Sequence, residues 1–257
     1  MRDFLKNHIS FQNRLKIKYR LRHLKAILFP FNLSKMAKIH KTDKYGNHFY
    51  TPHYQKHFKQ FKFKKIKLLE IGVGGYDNLF FGGNSLRMWK SYFPFVTIFS
   101  LDIYDKSFLQ ENRIRIFQGS QVDKSFLDEV IEIIGNLDII IDDGSHINQH
   151  VIETFQFLFP KLKIGGVYVV EDTQTSYWPD YGGSSDINYS GNTIMNFFKS
   201  LTDGLNHVEY ISPTFEPSYF DENIVSIHFY HNLIFIYKGE NKEKSNFLIQ
   251  NQKPTKI

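Results

Sequence analysis

Two apolar runs that end abruptly in acids constrain this chain most. The first is Leu137-Asp138-Ile139-Ile140-Ile141, followed by Asp142-Asp143-Gly144-Ser145-His146. The second is Gly166-Val167-Tyr168-Val169-Val170, followed by Glu171-Asp172-Thr173. Short runs of this kind read as strands buried on both faces, as in a parallel sheet covered by helices. Ligands of such sheets bind beyond the carboxyl ends of the strands. Three or four carboxylates and one histidine are therefore expected at one cleft edge. Crowded carboxylates repel, and one of them keeps its proton unless a cation joins them. The simplest occupant is a hard divalent metal ion, with His146 beside it as a base.

The two runs belong to a longer rhythm. Ile66–Ile71 reads as a buried strand that opens into Gly72-Val73-Gly74-Gly75. A helix is expected over Ser85–Tyr92, with Asn84 or Ser85 as its cap. Strands follow at Thr97–Ile103 and Ile114–Gln118, then a helix at Lys124–Ile134. The strand Leu137–Ile141, a helix at Asn148–Phe159 and a strand at Gly165–Val170 complete the pattern. This alternation predicts an α/β fold, a doubly wound and mostly parallel seven-stranded Rossmann-like sheet. Ile224–Tyr230 and Leu233–Lys238, joined at His231-Asn232, predict a C-terminal antiparallel hairpin. Residues 173–206 break the rhythm as an aromatic loop carrying Tyr177, Trp178 and Tyr181, which marks them as a substrate lid. The layout expected is a basic arm over 1–40, a main domain over 41–240 and a polar, frayed tail over 241–257.

Charge is divided unevenly. Residues 1–67 hold 18 Lys and Arg against Asp3 and Asp43 alone, whereas residues 68–257 hold 14 Lys and Arg against 24 Asp and Glu. The arm places Leu5, Ile9, Leu21, Leu24 and Leu28 among cations, which predicts one or two amphipathic helices ended by Pro30. Such an arm can meet phosphate-bearing partners or an anionic membrane surface, or dock on its own domain or a second subunit. Residues 41–54 form an aromatic-rich segment expected to pack, leading into a short helix near His53–Phe58. No apolar stretch reaches membrane-spanning length and no signal peptide is evident, so a cytoplasmic protein is expected, with peripheral contact at the inner face of the membrane through residues 1–38. The sequence contains no cysteine, which excludes disulfides, thiolate zinc sites and a cysteine nucleophile.

The glycine-rich turn lets backbone approach a ligand closely. A dinucleotide fingerprint would need glycine at position 77, where Asp77 stands, and no Walker lysine follows. What remains is Glu70-Ile71-Gly72-Val73-Gly74, together with Asp102 at the end of the second strand. That acid can accept hydrogen bonds from ribose hydroxyls. Glu-x-Gly-x-Gly is a common opening of S-adenosylmethionine-dependent methyltransferases.

Several segments taken together carry a more specific likeness. They are Thr42-Asp43-Lys44 through Tyr50-Thr51-Pro52-His53-Tyr54, Leu69-Glu70-Ile71-Gly72-Val73-Gly74-Gly75-Tyr76 and Gly82-Gly83-Asn84-Ser85-Leu86-Arg87-Met88-Trp89-Lys90. Leu101-Asp102-Ile103-Tyr104-Asp105-Lys106-Ser107, Ile141-Asp142-Asp143-Gly144-Ser145-His146 and Glu171-Asp172-Thr173-Gln174-Thr175-Ser176-Tyr177 follow in order. Over roughly residues 41–180 the chain resembles the metal-dependent sugar O-methyltransferases of the macrolide deoxysugar and rhamnosyl type. The resemblance implies a Mg²⁺ site at Asp143, Glu171 and Asp172, with His146 as general base. It implies S-adenosylmethionine contacts at Glu70, Gly72, Gly74 and Asp102, and at Ser120, Gln121 and Asp142. A structural role for Asp142, capping the turn that follows it, is the alternative at that position. The acceptor implied is the sugar of a glycosylated natural product or of a surface glycan precursor, and a homo-oligomer is expected.

Three rivals are weighed against this reading. A hydroxylase-like metalloenzyme of the same fold would use two histidines and one carboxylate for iron, and this cluster is mostly carboxylate. A nucleic-acid methyltransferase of the amino-methylating class would place Pro-Pro-aromatic where Asp-Asp-Gly-Ser-His stands, so nucleic acid is disfavoured. A non-catalytic module is opposed by the joint presence of Asp143, His146, Glu171 and Asp172. Methyl transfer to a non-sugar acceptor stays open.

Overall fold

The computed structural model describes residues 10–212 and 214–254. Two compact units form, one from the segment up to Lys67 with Val73–Gln118, the other from Leu68–Gly72 with the chain from Gly119 onward. The apolar positions Leu5 and Ile9 lie outside the described residues.

The first unit begins with α1 (Phe11–Ala26), α2 (Leu33–His40) and α3 (Thr51–Phe58). The expected helix near His53 therefore starts earlier, because Pro52 sits in its first turn, where a missing N–H costs nothing. After β1 (Lys67–Ile71) come α4 (Asn84–Tyr92), β2 (Thr97–Asp102) and β3 (Ile114–Gln118). The cap of α4 is neither Asn84 nor Ser85 but Gly83, at φ 67°. The Asn84 side chain is engaged elsewhere, donating to Lys41 O at 3.1 Å. Tyr54, Phe58, Trp89 and Phe93 pack ring against ring in this unit.

The second unit holds α5 (Lys124–Ile134), β4 (Leu137–Asp142), α6 (Asn148–Leu158) and β5 (Leu162–Glu171). It ends with α7 (Ile194–Gly204), α8 (Tyr219–Asn223), β6 (Ile224–Tyr230) and β7 (Leu233–Lys238). Its aromatic core centres on Phe155, which meets Tyr168, Phe198 and Phe220. The tail is not frayed as far as Pro254. Asn241 donates to Gly204 O, Leu205 O and Asp221 O, and Asn251 donates to His207 O and Tyr210 O. Side-chain amides that satisfy part-buried carbonyls hold a polar segment which hydropathy alone leaves loose.

The sheet has seven strands in the order β3-β2-β1-β4-β5-β7-β6. Pairs β2/β3, β1/β4 and β4/β5 are parallel, while β5/β7 and β6/β7 are antiparallel, so the hairpin falls where the sequence places it. The strand order reverses between β1 and β4, and such a switch point is where open α/β sheets bind ligands. Among the described residues, no helix is long and apolar enough to cross a membrane.

Helix α1 docks within the first unit through its polar face. Arg22 Nη1 donates to His40 O at 3.1 Å, and the Arg87 guanidinium lies 3.7 Å from the Tyr19 ring centroid. Ser91 Oγ sits 2.8 Å from His23 Nδ1 and 2.9 Å from the buried His40 Nε2. Burial, and then the neighbouring cations His23, Arg22 and Arg87, push His40 down to about 3. An unfolded histidine titrates near 6.5, so this depressed group favours the fold fully above that value and loses that stability as pH falls toward 3. The thermal midpoint of the chain is expected to fall between about pH 7 and about pH 5, and to fall less in His40→Gln. Equal slopes in melts of the two proteins would show that His40 does not carry the effect.

Candidate active site

The switch point brings Gly72 and Asp143 together. Asp143 N–H donates to Ile71 O at 3.1 Å, directly after the β1/β4 register that pairs Ile71 with Asp142. Gly72 has φ 91°, and a Cβ there would lie 2.1 Å from Asp143 O. Only glycine fits, because backbone passes backbone at this point. The following turn is held from below by Gln121. Its Oε1 accepts the Ser145 N–H at 2.8 Å, and its Nε2 donates to Thr154 Oγ1 at 3.1 Å and to Asp142 Oδ1 at 3.4 Å.

Asp142 is the acid whose carboxyl the structure perturbs most. Burial pushes it up to about 7, opposed in part by the Gly144 N–H, Tyr168 and Gln121, and the charge of Asp143 adds to the rise. Tyr168 OH lies 3.3 Å from Asp142 Oδ2, and burial raises the Tyr168 phenol in turn. These partners give Asp142 the turn-capping role. Ser120 is half-buried, and its hydroxyl accepts the Val122 N–H at 3.4 Å.

Beyond the turn, Asp143, His146 and Asp172 converge. One ligand atom from each lies within 4.8 Å of the others. His146 Nε2 is 3.9 Å from Asp143 Oδ1 and 3.7 Å from Asp172 Oδ2, and all three side chains are partly exposed. His146 and Asp172 both have left-handed backbones, φ 57° and 55°. Non-glycine residues in that region cost of order 1 kcal/mol or more each, and such strain gathers at functional sites. Glu171 is not part of this group; it ends β5 as a buried residue opposite Leu233. Glu70 is buried on β1. His150 Nδ1 lies 3.0 Å from Ser145 Oγ.

In the first unit, Asp102 braces the other half of the glycine-rich turn. Its Oδ2 accepts the Val73 N–H at 2.9 Å and its Oδ1 accepts the Tyr104 N–H at 3.0 Å. Each carboxylate oxygen keeps acceptor capacity after such a bond. Gly74 has φ 76° with open space where a Cβ would point. Gly83 N–H returns to Val73 O at 2.7 Å, and the buried Lys106 ammonium donates to Asn78 O and Phe81 O.

The expected lid is not one loop. It comprises short 3₁₀ turns at Thr173–Tyr177 and Pro179–Tyr181, and then α7. A Thr193 cap before Ile194, Phe197, Phe198 and Leu201 is the sequence signal for that helix. Tyr177 and Trp178 are exposed, and the Trp178 and Tyr181 rings lie 5.9 Å apart. The segment is stapled by a residue that sequence reasoning overlooks. The buried Asn148 donates to Thr175 O at 3.0 Å and Tyr181 O at 2.9 Å, and accepts the Ile194 N–H at 2.7 Å. A polar residue in a helix's first turn reads as a solvent-facing position, so nothing local reveals this role.

The chain is 48% identical over 214 residues to mycinamicin VI 2''-O-methyltransferase of Micromonospora griseorubida, covering 82% of this chain and 54% of that protein. It is 45% identical over 210 residues to 8-demethyl-8-alpha-L-rhamnosyl tetracenomycin-C 2'-O-methyltransferase of Streptomyces olivaceus, covering 81% of this chain and 55% of that protein. The chain is homologous to sugar O-methyltransferases. The likeness extends to the fold: MycE methyltransferase from the mycinamycin biosynthetic pathway, in complex with Mg and SAH, superposes with a TM-score of 0.82 at 47% identity. That match covers 88% of this chain and 57% of MycE, and a further MycE structure also holds mycinamycin VI. The chain spans about half the length of the curated relatives it matches. No family model matches it. The resemblance read from residues 41–180 thus holds across most of the chain.

Asn148→Ala removes one partner from three backbone groups. It is expected to destabilise the protein by about 1–3 kcal/mol and to speed amide exchange over residues 173–194. Hydrogen exchange followed by mass spectrometry checks this, and unchanged exchange in that segment would remove Asn148 as its staple.

Proposed function

We propose that this chain is a Mg²⁺- and S-adenosylmethionine-dependent O-methyltransferase acting on a sugar hydroxyl. The observation that carries the reading is the convergence of Asp143, His146 and Asp172 at the switch point. The homology to sugar O-methyltransferases, one of which is crystallised with Mg and SAH, supports it. Two carboxylates and an imidazole, partly open to solvent, fit a divalent cation that keeps positions for water and acceptor. A hydroxylase-type iron site would want two histidines and one carboxylate, the reverse of this donor set.

Asp143 and Asp172 would hold the cation, with Glu171 as the further carboxylate that the family resemblance implies. Magnesium there supplies Lewis acidity, lowering the pKa of an acceptor hydroxyl and orienting it. His146 Nε2 takes the hydroxyl proton, and imidazole is the side-chain base suited to neutral pH. S-adenosylmethionine would supply the methyl group, an O–CH₃ bond forming as the S–CH₃ bond breaks and the thioether S-adenosylhomocysteine leaves, so the chain's own task is alignment. We assign cofactor binding to Glu70, Gly72, Gly74 and Asp102, with Asp102 accepting from ribose hydroxyls. Ser120, Gln121 and Asp142 shape the wall of that site. Tyr177, Trp178 and Tyr181 offer faces on which a sugar can lie.

The membership of His146 in the metal cluster supports a second role, that of metal ligand. The roles separate experimentally. If His146 is the base, His146→Ala lowers kcat by about 10²–10⁴-fold and leaves Mg²⁺ affinity unchanged; if it is a ligand, Mg²⁺ affinity falls as well. Trp178→Ala is expected to raise KM for a rhamnoside or deoxysugar acceptor without changing cofactor binding. A radiolabelled methyl-transfer assay across glycosylated macrolides and glycan precursors tests the whole reading. No transfer to any glycoside, with transfer to a non-sugar hydroxyl, would move the function to the other acceptor class. We also place the protein in the cytoplasm as a homo-oligomer, with residues 1–38 in contact with an anionic or membrane-associated acceptor.

A further inference from the structure

Helix α1 is mounted the opposite way from an ordinary surface helix. Its inner side carries Tyr19, Arg22, His23 and Ala26, which meet the first unit through the contacts described above, and the half-buried Leu15 lies on the same side. Its apolar stripe faces water. Ile17, Leu21, Leu24 and Leu28 are 39%, 62%, 51% and 72% exposed. At 3.6 residues per turn Ile17, Leu21 and Leu24 fall within about 60° of arc, directly away from the docked face, and Leu28 follows in the turn after the helix. Exposed Lys18 and Lys25 flank the stripe on one side, and exposed Lys16 and Arg20 flank it on the other. Past Pro30 the chain adds the exposed Phe31, set edge to face against the exposed Phe63.

We propose that this stripe is a docking surface for an anionic lipid bilayer. An apolar ridge between two rows of long cations is the arrangement of a helix that lies in a membrane interface. The leucines enter the acyl boundary while the lysines extend to the headgroups. Charge decides between lipid and a second copy of the chain. Residues 10–41 contain nine Lys and Arg and no Asp or Glu. A two-fold interface sets a patch against itself, so two such arms would meet cation to cation. An anionic surface attracts each nearby cation. The inference rests on the reading that the arm meets a membrane-associated acceptor, and it names the surface that would do so.

The test is co-sedimentation of the full chain with phosphatidylcholine vesicles, with and without phosphatidylglycerol. Binding is expected only where phosphatidylglycerol is present, weakening as salt rises. The triple variant Leu21→Gln, Leu24→Gln, Leu28→Gln is expected to bind about tenfold less, with an unchanged thermal midpoint because these side chains are exposed. Absence of binding to the anionic vesicles at low salt would overturn the proposal, as would equal binding of the triple variant. Concentration-dependent self-association that the triple variant abolishes, without vesicle binding, would assign the stripe to a second copy and overturn it too. Vesicle binding requires neither cofactor nor acceptor, so its outcome is independent of whether the methyl-transfer reading survives.

Discussion

Backbone meets backbone where β1 and β4 end, and the site is built outward from that contact. Gly72 leaves no room for a side chain beside Asp143 O, and the Asp143 N–H closes on Ile71 O. The strand order reverses here, where open α/β sheets bind their ligands, and the close approach sets the direction in which the chain leaves β4. Asp143 is then delivered to the crevice, and the tight turn after it brings His146 round in a left-handed conformation. Gln121 and Tyr168 brace the turn by binding Asp142 from within. Two adjacent aspartates thus divide their work. Buried Asp142 is held toward its neutral form and supports the turn, while partly exposed Asp143 faces His146.

The same economy appears at the end of β5. Glu171 closes the strand inside the protein, whereas Asp172, in a left-handed conformation, turns its carboxylate toward His146. Strain at His146 and Asp172 is tolerated because the strands behind them are buried and regular. The aromatic segment that follows owes its shape to Asn148, whose amide binds three separate stretches of backbone. The cluster of Asp143, His146 and Asp172 and the aromatic segment are therefore anchored on the same strands and helix of the second unit.

Much of this was legible in the sequence. Buried strands show as apolar runs, and their chemistry shows as acids at the ends, so Asp143, His146 and Asp172 could be named before any coordinates. The hairpin at His231-Asn232 and the helix Lys124–Ile134 match residue for residue. What escaped were roles set by contacts distant in sequence. Asn148 looks like any polar residue opening a helix, and Asn241 and Asn251 look like members of a loose tail. Helix α7 was available in the Thr193 cap and the Ile194, Phe197, Phe198, Leu201 spacing, but the glycines and tyrosines before it masked the change of rhythm. An amphipathic helix was expected in the arm, whereas the apolar residues of α1 divide between two sides, Leu15 and Ala26 inward and Ile17, Leu21 and Leu24 outward.

The central claim is that Asp143 and Asp172 together hold a divalent cation in a protein that binds S-adenosylmethionine. Calorimetric titration of Mg²⁺ and of S-adenosylmethionine, separately, into the wild type and Asp143→Ala tests it most directly. The account predicts saturable heats for both ligands in the wild type, and loss of the Mg²⁺ heat alone in the variant. A Mg²⁺ heat that persists in Asp143→Ala, or no S-adenosylmethionine binding in either protein, would contradict it.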